Sequence, residues 1–267
     1  MILRNYHTHT TFCDGKDTAE EMVLSAIEKG FQTLGFSGHS PLEGEDWCMQ
    51  PDTGAYRAEI ARLKEKYKDK IEILCGIEQD YYSEPEQGYD YIIGSVHCVK
   101  AGEILIAVDD TAEALINGIN EHFGGDATAF ACEYFRTLSD VVNKTGAQII
   151  GHFDLIEKFS EKVNIFAPEH PMYIEAAKDA IDKLIPTRAL FEVNTGAMAR
   201  GLRTCPYPAK QWLEYISQKG GDVILNSDCH DKRYLDHGFE ECIQLLKACG
   251  FSRIAYLTKD GTDYTKI

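Results

Sequence analysis

The sequence predicts one α/β domain whose parallel strands close into a barrel, and three observations carry that reading. Short apolar runs alternate along the chain with amphipathic stretches of helical length, as parallel strands joined by covering helices require. The first apolar run leads into His7-Thr8-His9-Thr10 instead of a glycine-rich turn, and no G-x-x-x-x-G-K-[ST] occurs. The nucleotide-binding marks of an open doubly wound sheet are therefore missing. The length, 267 residues, is ordinary for a single closed barrel.

From the N-terminus, the apolar run Ile2–Tyr6 reads as the first strand, followed by an amphipathic helix near 17–30. Thr33–Ser37 is the second strand and 53–68 the next helix. Ile71–Ile77 and Tyr91–Val96 are strands three and four. The stretch 100–124 is less regular, with a further strand over Ile104–Val108 and a helix from Thr111 to His122. A helix over 127–145 leads to the fifth strand, Gln148–Gly151. Helix 169–184 leads to Leu190–Asn194, and helix 207–219 to Val223–Asn226. A helix over 235–249 and a last strand, Arg253–Leu257, complete the chain.

Composition excludes several classes. Hydrophobic residues are 44% and charged residues 26%, enough to bury a core, so the chain is not a disordered tail. No apolar run reaches the roughly 18–20 residues that cross a bilayer. The start, Met1 to His7, lacks the marks of a signal peptide, so a cytoplasmic location without membrane contact is expected. With 27 Lys and Arg against 43 Asp and Glu, the net charge is −16, which keeps the chain soluble and repels a nucleic-acid backbone. The nine cysteines (Cys13, Cys48, Cys75, Cys98, Cys132, Cys205, Cys229, Cys242 and Cys249) are scattered without a C-x-x-C pair. They predict reduced core thiols, with no disulfide framework or zinc ribbon.

The histidines carry the chemistry. His7, His9, His39, His97, His152 and His230 each lie at or just past the C-terminal end of a predicted strand. Glu78 ends the third strand, Asp228 stands two before His230, and Asp14 follows the first strand closely. In a parallel barrel all of these ends open on one mouth. Residues i and i+2 of a strand share a face, so His7 with His9, and Asp228 with His230, present paired donors. Imidazole nitrogens and carboxylate oxygens in this number point to Zn²⁺, Mn²⁺ or Fe²⁺. A lone strand-end histidine is more often a hydrogen-bonded loop residue than a ligand; six converging on one mouth with three carboxylates reverse that balance. Cys13, Cys98 and Cys229 adjoin these residues but are expected to pack elsewhere, and His122, His170 and His237 to lie at the surface.

These motifs together resemble the PHP (polymerase and histidinol phosphatase) superfamily: His7-x-His9, Asp14, Gly38-His39, Glu78, Ser95-Val96-His97, Gly151-His152 and Ser227-Asp228-x-His230, in order over residues 7–230. Gly76-Ile77-Glu78, Phe191-Glu192-Val193-Asn194 and the stretch Arg200…Pro206-Tyr207-Pro208 resemble its stand-alone histidinol-phosphate phosphatase branch. The resemblance implies a distorted (β/α)7 TIM-like barrel with three divalent metals at the mouth. His7, His9, Glu78 and Asp228 would hold the first, Glu78 with His97 and His152 the second, and Asp14, His39 and His230 the third. It also implies hydrolysis of L-histidinol phosphate, a small-molecule phosphate monoester.

For such chemistry, a hydroxide shared by the Glu78-bridged ions is the expected nucleophile. Glu78, Asp228 and His230 are the candidate catalytic residues, and the sequence does not select the one that protonates the departing alkoxide. Arg200 is the leading phosphate-binding candidate, with Arg203, Lys158 and the hydroxyl of Ser37 behind it. Where the resemblance leads one to expect an arginine, Lys158 offers a charge without a bidentate fork. Glu43 or Asp154 would receive a substrate ammonium. Two alternatives stand beside this reading: a phosphoesterase acting on nucleotides or phosphotyrosine, and a non-catalytic metal-binding domain.

Overall fold

The computed structural model describes residues 3–42, 47–49 and 52–267. Seven parallel strands form one sheet in strictly sequential order: β1 (Leu3–Asn5), β2 (Phe31–Phe36), β3 (Glu72–Asp80), β4 (Tyr91–Ser95), β5 (Ile149–Ile150), β6 (Leu190–Asn194) and β7 (Val223–Asn226). Just beyond the strand ends, His9 N–H donates to Cys229 O at 2.9 Å and Cys229 N–H to His7 O at 3.1 Å, which brings the two edges together. Side chains extend this seam. Tyr6 N–H donates to Asn226 Oδ1 at 2.9 Å, and Ser227 N–H to Asn5 Oδ1 at 3.2 Å. The sheet is thus a nearly closed, distorted barrel, as expected.

Helices cover the outside for sequence-readable reasons. Ala19–Glu28 starts at Thr18, whose side chain forms a capping box with Glu21, and buries Ala19, Met22, Val23 and Ala26 at helical spacing. Pro171–Leu184 begins with proline in its first turn, capped by His170. The predicted helix 127–145 is two helices, Ala127–Leu138 and Val141–Thr145, broken at Ser139-Asp140. The helix expected over 207–219 starts only at Lys210, after Pro208. Two antiparallel hairpins decorate the barrel. Cys98–Ala101 pairs with Ile104–Ala107 beside the mouth, and Arg253–Thr258 pairs with Gly261–Lys266.

The lumen has an apolar floor and a polar top. Tyr6, Tyr91, Ile93, Ile149, Leu190, Ile224 and Ala255 form a cluster separate from the larger core beneath the helices. The Tyr91 ring fits because β2 and β3 carry glycines opposite it. A Cβ on Gly76 would lie 2.3–2.5 Å from three ring atoms, and one on Gly35 2.3 Å from the hydroxyl. That hydroxyl donates to the carbonyls of Tyr6 and Phe36. Moving two residues along a strand keeps the same face, so Gly76, Ile93 and Leu190 lead to Glu78, Ser95 and Glu192. Apolar support below therefore positions ionisable groups above. Among the described residues no helix is long and apolar enough to cross a membrane.

Candidate metal centre

Glu78 is the hub. It is 1% exposed, and both carboxylate oxygens meet imidazoles. Oε1 lies 2.9 Å from His152 Nε2 and 3.3 Å from His97 Nε2. Oε2 lies 3.1 Å from His7 Nε2, 3.5 Å from His9 Nε2 and 2.9 Å from His39 Nδ1. Ser95 donates its hydroxyl to Oε1. Asp228 Oδ1 closes one side, 3.5 Å from His7 Nε2 and 3.2 Å from His9 Nε2. Asp14 closes the other, 3.1 Å from His230 Nε2 and 3.6 Å from His39 Nε2. All nine residues expected at the mouth gather there.

Their spacing fits ions. Donor atoms held at about 2.0–2.1 Å around a tetrahedral zinc stand roughly 3.4 Å apart, which the separations above bracket. His7 Nε2, His9 Nε2, His39 Nδ1 and Glu78 Oε2 are buried and lack a hydrogen-bond partner despite this proximity. Buried polar groups are rarely left so, and a shared cation is what such a donor set accommodates. Three groupings bring donor atoms close enough for one ion each: His7, His9 and Glu78; His39, Glu78 and His97; and His9, Asp14, His39 and His230. His9 and His39 thus each touch two groupings, a sharing absent from the division of ligands that the family resemblance implies.

Electrostatics follow from this crowding. Burial disfavours charge on Glu78, yet His7, His39 and His97 hold its carboxyl well below the usual range. Asp228 behaves likewise: burial is outweighed by His7 and by the Arg200 guanidinium. Burial, then repulsion from His230 and His39, pushes His9 down to about 3. His7 goes the other way, because Glu192, Glu78 and Asp228 together overcome its burial. Asp228 adopts φ 48°, the left-handed region that aspartate tolerates better than most side chains. Gly196 makes room for it, since a Cβ there would sit 2.7 Å from Asp228 Oδ2.

Carboxylates behind the cluster were not singled out from the sequence. Glu192 Oε1 accepts from His7 Nδ1 at 2.6 Å, and Asp80 Oδ2 from His97 Nδ1 at 3.0 Å. Each leaves the ring's Nε2 facing Glu78, the arrangement by which carboxylates orient metal-binding imidazoles. The signals were present. Asp80 lies two residues past Glu78 on the same strand face, and Glu192 is the lone charge in an apolar strand.

A cavity of about 850 Å³ opens over the cluster, lined among others by Trp47, Asp109, Lys158, Arg200, Arg233 and Tyr234. Arg200 belongs to this wall, 3.3 Å from Asp228 Oδ2 and 3.2 Å from His230 Nδ1. Lys158 lines it too, but its ammonium is held by the carbonyl and carboxylate of Asp109. Three expectations need correction. Ser37 is fully buried and is not among the residues lining the cavity, so its hydroxyl is out of a substrate's reach; its Oγ accepts the Thr8 N–H. Arg203 is 7% exposed, donates to Glu157 O and stacks on Tyr207, so it is a buried structural cation. Asp154 is fully buried and accepts from Ala209 N–H, away from the cavity lining. Glu43 lies outside the described residues. Cys13 Sγ, expected to pack elsewhere, lies 3.5 Å from His9 Nδ1, and no disulfide joins any of the nine cysteines.

Comparison with known proteins identifies the family. A model of the PHP domain matches residues 5–196. A Schizosaccharomyces pombe protein named "probable histidinol-phosphatase" is 28% identical, with 95% of this chain and 89% of that protein aligned. The Bacillus subtilis histidinol-phosphatase is 25% identical over 91% of this chain and 99% of its own length. In fold, the chain is similar to a Lactococcus lactis histidinol phosphate phosphatase solved with zinc, L-histidinol and phosphate. The TM-score is 0.75 at 21% identity, covering 97% of this chain and 98% of that one.

Proposed function

Because the chain belongs to the PHP domain family, we propose that it is a divalent-metal-dependent phosphomonoesterase that converts L-histidinol phosphate to L-histidinol and inorganic phosphate. One observation carries the reading: six imidazoles and three carboxylates converge on the floor of a cavity large enough for a small phosphate ester. Full-length likeness to histidinol-phosphatases supports the choice of substrate.

His7, His9, Glu78 and Asp228 would hold one ion, Glu78, His97 and His152 a second, and Asp14, His39 and His230 a third. Zinc suits this set, and manganese or iron would be accepted by the same donors. When bound, such ions lower the pKa of a water and offset charge on the phosphoryl oxygens. The chain's own groups supply the rest. Glu78 and Asp228 are held ionised, so neither protonates the departing alkoxide. Arg200 sits where its fork can take phosphoryl oxygens while holding Asp228 in place. The apolar floor under Tyr91 keeps the cluster rigid from below.

Phosphate release from L-histidinol phosphate, nucleotides and phosphotyrosine, alongside metal counts per chain, tests this. A strong preference for histidinol phosphate is expected. Equal turnover of the whole panel would refute the substrate assignment, and bound metal with no phosphate release would favour a binding domain.

A further inference from the structure

We propose that Glu192 is a positioning residue for the His7 end of the metal centre, fixing that imidazole as the tautomer whose Nε2 lone pair is free for an ion. The inference rests on reading the cluster as a metal site, but not on the identity of the substrate.

Glu192 is wholly buried in an apolar strand, and each of its oxygens takes two donors. Oε1 accepts from His7 Nδ1 at 2.6 Å and Asn226 Nδ2 at 2.9 Å. Oε2 accepts from the His152 N–H at 3.0 Å and Asn194 Nδ2 at 2.9 Å. An ionised carboxylate can only accept, so His7 Nδ1 must carry hydrogen. Nε2 then turns its lone pair into the gap between Glu78 Oε2 and Asp228 Oδ1. Two carboxylates and a lone pair facing one another call for a cation.

Glutamine fills nearly the same volume but brings one acceptor and one donor group. With its NH₂ toward His152, it would face a backbone N–H that cannot reverse. With its NH₂ toward His7, Nδ1 must accept and the ring proton moves to Nε2, where the ion belongs. The second arrangement is the cheaper one, so Glu192→Gln blocks that single ligand and leaves His97 on Asp80 and His230 on the Asp228 carbonyl.

Zinc-loaded wild type and E192Q are compared by metal counting and by competition with a chelator, with circular dichroism to follow the fold. E192Q is expected to lose one zinc per chain, or to bind it about 10–100-fold more weakly, with its spectrum unchanged. Wild-type stoichiometry and affinity, or a lowered Tm with unchanged metal binding, would overturn the inference. Should E192Q not fold, long-range ¹H–¹⁵N correlation of zinc-loaded wild type decides: protonated Nδ1 with unprotonated Nε2 on His7 is expected, and a protonated Nε2 overturns it. A wild type that binds zinc but hydrolyses no ester would sink the proposed reaction while leaving this assignment intact.

Discussion

Stripping metal from the protein should lower its thermal stability by an amount the geometry allows one to work out. Three groupings of donors are close enough for an ion each, and most of the donors in them are buried. A ligand that binds only the native state contributes about 2.7 kcal/mol when its free concentration is 100 times Kd, so three sites under that condition contribute roughly 8 kcal/mol. Unfolding entropy near 2.1 cal/mol/K per residue gives this 267-residue chain about 2 °C of Tm per kcal/mol. The chelated protein should therefore melt about 15 °C below the zinc-saturated one. Protons compete with ions for imidazole nitrogens, so the gap should shrink as pH falls below about 6.5. Differential scanning calorimetry with EDTA, then with zinc restored, measures it. A gap under about 3 °C at neutral pH, or one independent of pH, would refute the argument that these buried donors are ligands.

Other outcomes follow from single side chains. Asp228→Asn keeps the shape but removes the charge facing His7 and His9, so turnover should fall by more than about 100-fold with loss of bound metal; unchanged metal content would contradict its ligand role. Arg200→Ala should lower kcat/KM for a phosphate ester roughly 10–150-fold, as expected for losing a hydrogen bond to a charged group. Arg203→Ala should instead leave kcat/KM of the folded enzyme unchanged and lower Tm by roughly 6–10 °C, since it removes the cation near buried Asp154. Gly76→Ala drives a Cβ into the Tyr91 ring and should cost about 3 kcal/mol, read as a Tm lowered by about 6 °C.

The strand-end histidines were legible because two simple rules act on them: parallel strands point their C-termini one way, and alternation fixes the face. Those rules place His7, His9, His39, Glu78, His97, His152, Asp228 and His230 without any knowledge of side-chain contacts. What they cannot supply is competition between partners. Lys158 is drawn to Asp109, a residue on the loop after the hairpin Cys98–Ala101/Ile104–Ala107, whose first strand carries too weak an alternation to be read. Ser37 is shut away by burial, with its oxygen accepting the Thr8 N–H, and Arg203 is taken up by a carbonyl and an aromatic face. Glu192 and Asp80 differ: spacing puts Asp80 on the Glu78 face and leaves Glu192 the lone charge of its strand, but which imidazole each orients depends on contacts between strands. The helix break at Ser139-Asp140 likewise interrupts a pattern whose amphipathic period runs on past it.

The seam between β1 and β7 joins groups as far apart as Asn5 and Ser227, 222 positions along the chain. A nascent chain leaving the ribosome displays His7 and His9 long before Asp228 and His230 exist to face them. Any metal held at this end would then be captured late, after closure of the ring, and closure through so distant a contact is intrinsically slow. A product cut short before the last strand would keep many of its histidines and still lack Asp228 and His230, the two donors that close the cluster.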